Sequence, residues 1–430
     1  MASVEGTVSH LQVKFFTKQP QFSVPDNPFS VPSSCGLKEL SDLINGLLQS
    51  AGTGGLHPTE FDFLVEGQFL RTTLEKHIEQ TERSTEEVLE LEYLERQPAP
   101  APQDSLQHDD WVSCLHAQGE HILSGCYDNT VKLWTSRGDI ILTIPGHSAP
   151  VKSISWIAQD EASSTFLSGS HDQTILIWEW NRTTNAMECL YMCKGHAGSI
   201  DCLAVDETKS RFCSGSFDRM IKIWAAGKGG SDEMVEEDEG HQKKKKRTDG
   251  QKVPTRVPLM TLSGHKEGVA AIQWLSSSEI CSASWDHTMK LWDVQQGVEK
   301  SVLAGTKVFL DISYSPLNRM IISGSADRHV RLWDPRIRDG AVVKCTYTSH
   351  TGWISSVSWS PINEHLFISG SYDTVMKLWD TRSPKTPMYN MTGHEDKIMA
   401  VDWSLPDLML SGGADNEIKI FRYSTVPGSS

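Results

Sequence analysis

Along most of this chain apolar residues recur at every second position in short runs, as in VKLW, ILIW, IKIW, MKLW, VRLW and IKIF, and Gly, Asn and Asp interrupt them. A period of two belongs to a strand with one buried face, so the chain reads as mainly β. One stretch breaks the habit. In GLKELSDLINGLLQS, Leu37, Leu40, Leu43, Ile44, Leu47 and Leu48 fall at helical spacing. Around that helix LQVKFFT and QFSVPDNPFSVP read as two strands, FDFLVEGQFL as a strand and turn, and EVLELEYL as a last strand. Thr72 and Glu75 have the spacing of a capping box for the short helix LEKHIEQ. The order β-β-α-β-β with a short helix is that of a small α+β, ubiquitin-like domain over residues 1–97. A PAPAP linker at 98–102 follows it, and residues 98–107 hold both the linker and a candidate closing strand for what comes next.

From residue 108 to 423 one phrase recurs seven times: SGCYDNTVKLW, SGSHDQTILIW, SGSFDRMIKIW, SASWDHTMKLW, SGSADRHVRLW, SGSYDTVMKLW and SGGADNEIKIF. Its aspartates are Asp128, Asp172, Asp218, Asp286, Asp327, Asp373 and Asp415, at steps of 44, 46, 68, 41, 46 and 42 residues. Such a period suits a four-stranded blade that must stack with its neighbours to bury its faces, and seven units predict a seven-bladed β-propeller. Histidines precede most of the aspartates: His147, His196, His265 and His394 in Gly-His pairs, His350 after a serine, and His108 for the first unit. These motifs resemble the WD-repeat family. The resemblance implies structural His–Asp pairs, His108 with Asp128, His147 with Asp172, His196 with Asp218, His265 with Asp286, His350 with Asp373 and His394 with Asp415, joined by a strand serine and the tryptophan. A Ser-His-Asp set repeated around a ring is a building device, not an active site. The fifth unit departs, with Thr306 after Gly305, and the seventh carries Phe421 for Trp.

The residue before each turn aspartate should lie on one rim, which offers Tyr127, His171, Phe217, Trp285 and Tyr372, with Ala326 and Ala414 completing the set. Clustered exposed aromatics are the usual anchors of protein interfaces, although each could equally pack on a neighbouring turn. No Lys/Arg stripe accompanies them, so direct RNA readout by this face has no support in the sequence.

Charge and composition refine the picture. The net charge is −15, and residues 1–97 contribute 7 Lys and Arg against 15 Asp and Glu, a balance that argues against phosphate binding by that domain. The nine cysteines show no CxxC pair and read as reduced, buried thiols. No apolar run approaches a membrane span and the start lacks a secretory signal, so an intracellular protein is expected, in which the sequons at Asn181 and Asn390 match by chance. The abnormal step of 68 holds GSDEMVEEDEGHQKKKKRTDGQK, an insertion at about residues 228–254 with too little apolar surface to order itself. Within it Lys243, Lys244, Lys245, Lys246 and Arg247 match a short nuclear-import signal. No Walker loop, zincin helix or nucleophile elbow is present, GKGG at 227–230 is too short to cradle phosphate, and no cofactor is expected. Residues 424–430 form a tail.

A ubiquitin-like domain ahead of WD repeats, with FDFLVEGQFLRTTLEKHIEQ and STEEVLELEY within it, resembles the Notchless-like family. Seven units, where Notchless itself has an eight-bladed propeller, are similar to the WD-repeat ribosome-biogenesis branch that partners the pescadillo and block-of-proliferation proteins. The resemblance implies a non-enzymatic assembly factor for the large (60S) ribosomal subunit, acting in pre-rRNA processing on pre-60S particles, in the nucleolus and nucleoplasm. It further implies that the ubiquitin-like domain is bound by midasin, a giant AAA-type ATPase whose adhesion site leaves one Mg²⁺ coordination position open. The motif aligns that position's acidic ligand on Glu86, with Glu87 its neighbour; a carboxylate suits the hard cation. The competing reading is a substrate receptor of a cullin-type ubiquitin ligase, through the Trp-Asp-x-Arg motifs at Trp333, Asp334, Pro335, Arg336 and Trp379, Asp380, Thr381, Arg382. There, too, Asp and Arg two apart on a strand could simply pair with each other.

Overall fold

The computed structural model describes residues 9–52, 58–81, 88–227, 253–337 and 343–424. Two compact units divide the chain: residues up to Ala99 with Trp379–Met388 and the C-terminal tail, and Pro100–Leu378 with Tyr389–Tyr423. Among the described residues no helix is long and apolar enough to cross a membrane.

In the first unit the elements run β1 (His10–Phe16), β2 (Pro28–Pro32), α1 (Leu37–Ser50), β3 (Phe61–Val65), β4 (Gln68–Phe69), α2 (Leu74–Thr81) and β5 (Leu89–Glu95). The sheet order is β2-β1-β5-β3-β4, with β1 and β5 parallel at its centre. Alternation in β1 and β5 buries Leu11, Val13, Phe15, Leu89, Leu91 and Tyr93 on one face, and Leu40, Ile44 and Leu48 of α1 close over that core. One local expectation fails. Helix α2 starts at Leu74, one residue too late for a Thr72–Glu75 box; its first N–H groups are taken instead by backbone carbonyls, Leu74 donating to Cys35 at 3.0 Å and Glu75 to Ser33 at 2.9 Å. Tertiary carbonyls satisfy the orphan donors that the side chain was expected to cap.

The second unit is a propeller of seven sheets. In each the strands follow chain order from the innermost outward, except at two places. The last blade takes its outer strand from β6 (Ala101–Gln107), which pairs antiparallel with Glu417–Arg422. The second blade gains a fifth strand, Thr255–Arg256, parallel to the end of Ala186–Cys193. Each innermost strand contacts the next, and that of blade seven (Ile398–Leu405) contacts β7 (Val112–Gln118) of blade one, so the ring closes. Side chains on these strands reach the backbone of the next blade. Trp156 N–H donates to His116 Nδ1 at 3.2 Å, Val357 N–H to Asp311 Oδ2 at 2.9 Å, Trp403 N–H to Ser358 Oγ at 3.1 Å and, across the closure, Ala117 N–H to Asp402 Oδ2 at 2.9 Å. Burial pushes the Asp311 carboxyl up to about 6 against the donors that face it.

The long step between the third and fourth aspartates enters the fold at one place. Arg256 is buried, lays its guanidinium 3.7 Å from the Tyr191 ring centre, and donates to the carbonyls of Ala225 at 2.7 Å and Gly227 at 3.1 Å. Met260–Leu262 then completes blade three against Ile221–Ile223. Residues 228–252, with Lys243 to Arg247, lie outside the described residues.

All nine cysteines are free, and burial pushes the Cys193 thiol up to about 12 and the Cys189 thiol up to about 11.

Candidate functional site

Each blade turns between its second and third strands on the repeated aspartate. The residue after it is left-handed every time: Asn129, Gln173, Arg219, His287, Arg328, Thr374 and Asn416 all have φ between 65° and 73°. That conformation is costly for a side chain with a Cβ, most of all for β-branched Thr374. The aspartate offsets it by accepting the N–H two residues on, in all seven blades.

In blades two, three, four, six and seven the histidine then locks the aspartate. The Nδ1–Oδ2 distances are 2.9 Å for His147–Asp172, 2.8 Å for His196–Asp218, 2.9 Å for His265–Asp286, 2.8 Å for His350–Asp373 and 2.9 Å for His394–Asp415. The other ring nitrogen meets a fully buried serine, as His196 Nε2 meets Ser214 Oγ at 2.7 Å, and the indole of Trp224 donates to the same oxygen at 2.8 Å. Burial alone would raise the Asp218 carboxyl, but the His196 ring N–H and the Ala197 N–H outweigh it and hold it down at about 2. A serine enclosed in this way meets no substrate. Blade five builds the same support from other groups, Thr306 Oγ1 donating to Asp327 at 3.0 Å and Arg331 pairing with it at 2.6 Å.

Blade one departs from the expected His108–Asp128 pair. His108 Nε2 meets Ser124 Oγ at 2.8 Å, but its buried Nδ1 has no hydrogen-bond partner. The residue two before the aspartate is Cys126 here, and the thiol occupies the corner between ring and carboxylate, donating to the Asp110 carbonyl at 3.3 Å.

The rim carries the surface chemistry. Phe217 is 60% exposed and Trp285 47%; His171 is exposed, and Tyr127 and Tyr372 are half-buried. These five stand around the mouth of a central channel of about 1200 Å³. The packing reading accounts for some of the aromatics and not for others. Tyr127 packs 5.4 Å from Trp111 and 6.1 Å from His171, and Tyr372 stacks 5.7 Å from Trp353, while Phe217 and Trp285 are the open ones. Lys152 and Lys397 sit over Tyr127 and Tyr372 at 5.6 and 5.5 Å. Ala326 is half-buried and Ala414 buried, so the aromatic arc is open on the side of blades five and seven. Sequence reading missed Trp111 and Trp353, exposed by 41% and 49%; each lies three residues after its blade histidine, a register that would have found them.

Arg336 forks onto Asp334 at 2.8 Å through both Nε and Nη2, and Arg382 onto Asp380 at 2.8 and 2.6 Å. Each motif arginine therefore has its carboxylate partner two residues away, and Arg336 keeps about half of its side-chain surface open. Glu86 and Glu87 lie outside the described residues.

Comparison with known proteins agrees with this architecture. The family described as the NLE (NUC135) domain matches residues 11–78, and the WD domain, G-beta repeat, matches seven stretches: 101–135, 138–179, 187–225, 256–293, 298–334, 342–380 and 385–422. A "Ribosome biogenesis protein WDR12 homolog" of Ixodes scapularis is 54% identical over 424 residues, covering 97% of this chain and all of its own. Proteins of the same name from Anopheles gambiae and Nematostella vectensis are 48% and 46% identical over 417 and 418 residues, covering 97% and 96% of this chain and 96% and 99% of theirs. With an NLE domain, seven WD repeats and full-length likeness at this level, the chain belongs to the Notchless-like family of WD-repeat proteins that these WDR12 homologues represent.

Proposed function

We propose that the protein is a non-enzymatic scaffold in ribosome biogenesis, acting on the large-subunit precursor in the nucleolus and nucleoplasm. The observation that carries this reading is the likeness to proteins named for ribosome biogenesis over 97% of this chain. The geometry supports a binding role: the polar sets that mimic catalytic triads are enclosed within blades, and the exposed chemistry is the aromatic arc at the channel mouth. The arc, with Phe217 and Trp285 as its open anchors, is the surface we assign to the pescadillo and block-of-proliferation partners or to the pre-60S particle. Any contact with rRNA is then indirect.

Removal from the particle is assigned to the N-terminal domain, with Glu86 completing the Mg²⁺ site of the midasin adhesion domain, so that ATP-driven pulling strips the factor and its partners away. Lys243 to Arg247 are assigned to nuclear import. The test is a pull-down from nuclear extract with wild type and Glu86→Ala. Wild type should bring down pre-60S particles and bind the midasin adhesion domain in Mg²⁺ but not in chelator; Glu86→Ala should lose the second and keep the first. Undiminished adhesion-domain binding by Glu86→Ala overturns the Glu86 assignment, and absence of pre-60S components overturns the scaffold reading. Recovery of the cullin adaptor instead, abolished by Arg336 and Arg382 substitution, would favour ligase recruitment, for which each arginine would have to leave the aspartate it now grips.

A further inference from the structure

Blade one keeps the turn bond to its aspartate but lacks the two bonds that lock the aspartate in the five His–Asp blades. In those five the ring Nδ1–H reaches the carboxylate at 2.8–2.9 Å, and the N–H of the next residue adds a second bond to it, for example Ser148 at 3.0 Å and Ala197 at 2.9 Å. In blade one neither bond forms. Asp109 turns its carboxylate out to Lys132 at 2.9 Å, and Asp128 receives the N–H and hydroxyl of Thr130, both on Oδ1. Loss of a serine hydroxyl does not explain this, because blade seven has Gly413 at the same position and keeps its His394–Asp415 pair. What blade one adds is a sulfur atom. A ring nitrogen of His108, Cys126 Sγ and an Asp128 oxygen lie within 4.8 Å of one another, the histidine and cysteine are buried, and His108 Nδ1 has no hydrogen-bond partner.

We propose that His108, Cys126 and Asp128 bind one Zn²⁺. A nitrogen, a thiolate and a carboxylate make a donor set suited to this borderline cation. Ligands about 2.0–2.3 Å from zinc stand roughly 3.5 Å apart, so closing the site asks for about an ångström of movement. The thiol gives its proton to solvent as the metal binds, and the Asp110 carbonyl to which it now donates is released. The position gives the ion a role. His108 directly follows the closing strand β6 and its N–H donates to Asn416 of blade seven at 2.8 Å, whereas Cys126 and Asp128 belong to blade one. A bound ion would latch the last blade to the first.

The test uses the full chain, stripped with chelator and titrated with Zn²⁺ or Co²⁺ at pH 7. Wild type should take up one equivalent with release of a proton, show a thiolate-to-Co²⁺ absorption band, and unfold at a higher temperature with Zn²⁺ than with chelator. Cys126→Ser installs the serine found in blades two to six; it should lose the band and the thermal shift and remain at least as stable as wild type in chelator. A wild-type midpoint indifferent to Zn²⁺, or an equal shift in Cys126→Ser, overturns the proposal. Should Cys126→Ser fold poorly, Asp128→Asn must lower the affinity at least tenfold; unchanged affinity refutes the site.

Discussion

The most searching perturbation of the blade network is Asp218→Asn, which keeps the shape of the side chain and removes its charge. The carboxylate accepts from the His196 ring at 2.8 Å, from Ala197 at 2.9 Å and from Met220 at 2.9 Å, and one of its oxygens must become an NH₂ that faces donors. The fall of its pKa from 3.8 to about 2 corresponds to roughly 2.5 kcal/mol favouring the charged form. The side chain is still 11% exposed, and solvent screening reduces this to about 1–2 kcal/mol. All 14 tryptophans lie beyond residue 110 and all but Trp379 fall in the second unit, so indole fluorescence during urea denaturation follows chiefly the propeller. The midpoint should drop by an amount equivalent to about 1–2 kcal/mol at pH 7. The sign with pH follows from a depressed folded pKa: the contribution is complete above about pH 4 and is lost as pH falls toward 2, so the gap between wild type and variant should narrow at pH 3. Asp128→Asn, measured in chelator, should cost less, because that carboxylate lacks the histidine and loop donors. Equal losses at the two positions, or a gap independent of pH, would refute the account of the network.

Other outcomes follow from single contacts. Asp402→Ala removes the carboxylate that takes the Ala117 N–H across the closure and should cost about 1–3 kcal/mol in the same denaturation experiment. Thr374→Gly relieves a β-branched residue at φ 69° and should stabilise by about 1 kcal/mol, read as a higher urea midpoint. Phe217→Ala with Trp285→Ala should leave stability within about 0.5 kcal/mol of wild type, since both rings are largely exposed, yet weaken recovery of pre-60S particles in a pull-down at least tenfold.

The repeat was legible because blade geometry ties Asp to an aromatic at a fixed offset and sets a His 21–25 residues before it, so a side-chain code stands for a backbone turn. The N-terminal domain was legible from period alone, since β1 and β5 alternate and α1 presents one apolar stripe. What stayed hidden depended on contacts between distant segments. The carbonyls of Cys35 and Ser33 that start α2, the partners of Asp311 and Asp402 in the next blade, and the strand Thr255–Arg256 leave no local pattern. His108 and Asp128 had the right residues, 20 apart where the paired sets are 21–25 apart, and the sulfur of Cys126 beside them left no local pattern from which the lost pair could be foreseen. Trp111 and Trp353 were missed for a simpler reason: their register is set by the histidine and not by the aspartate from which the rim was counted.

Arg256 has a wider meaning than its hydrogen bonds. By holding the carbonyl of Gly227 it joins the two roots of the long excursion, so whatever runs between them closes a loop whose ends are already fixed by blades two and three. Loop-closure entropy grows only logarithmically, and doubling such a span costs about 0.6 kcal/mol. Lengthening the connection between these two roots would thus cost little stability, because both roots keep their strand pairing whatever its length.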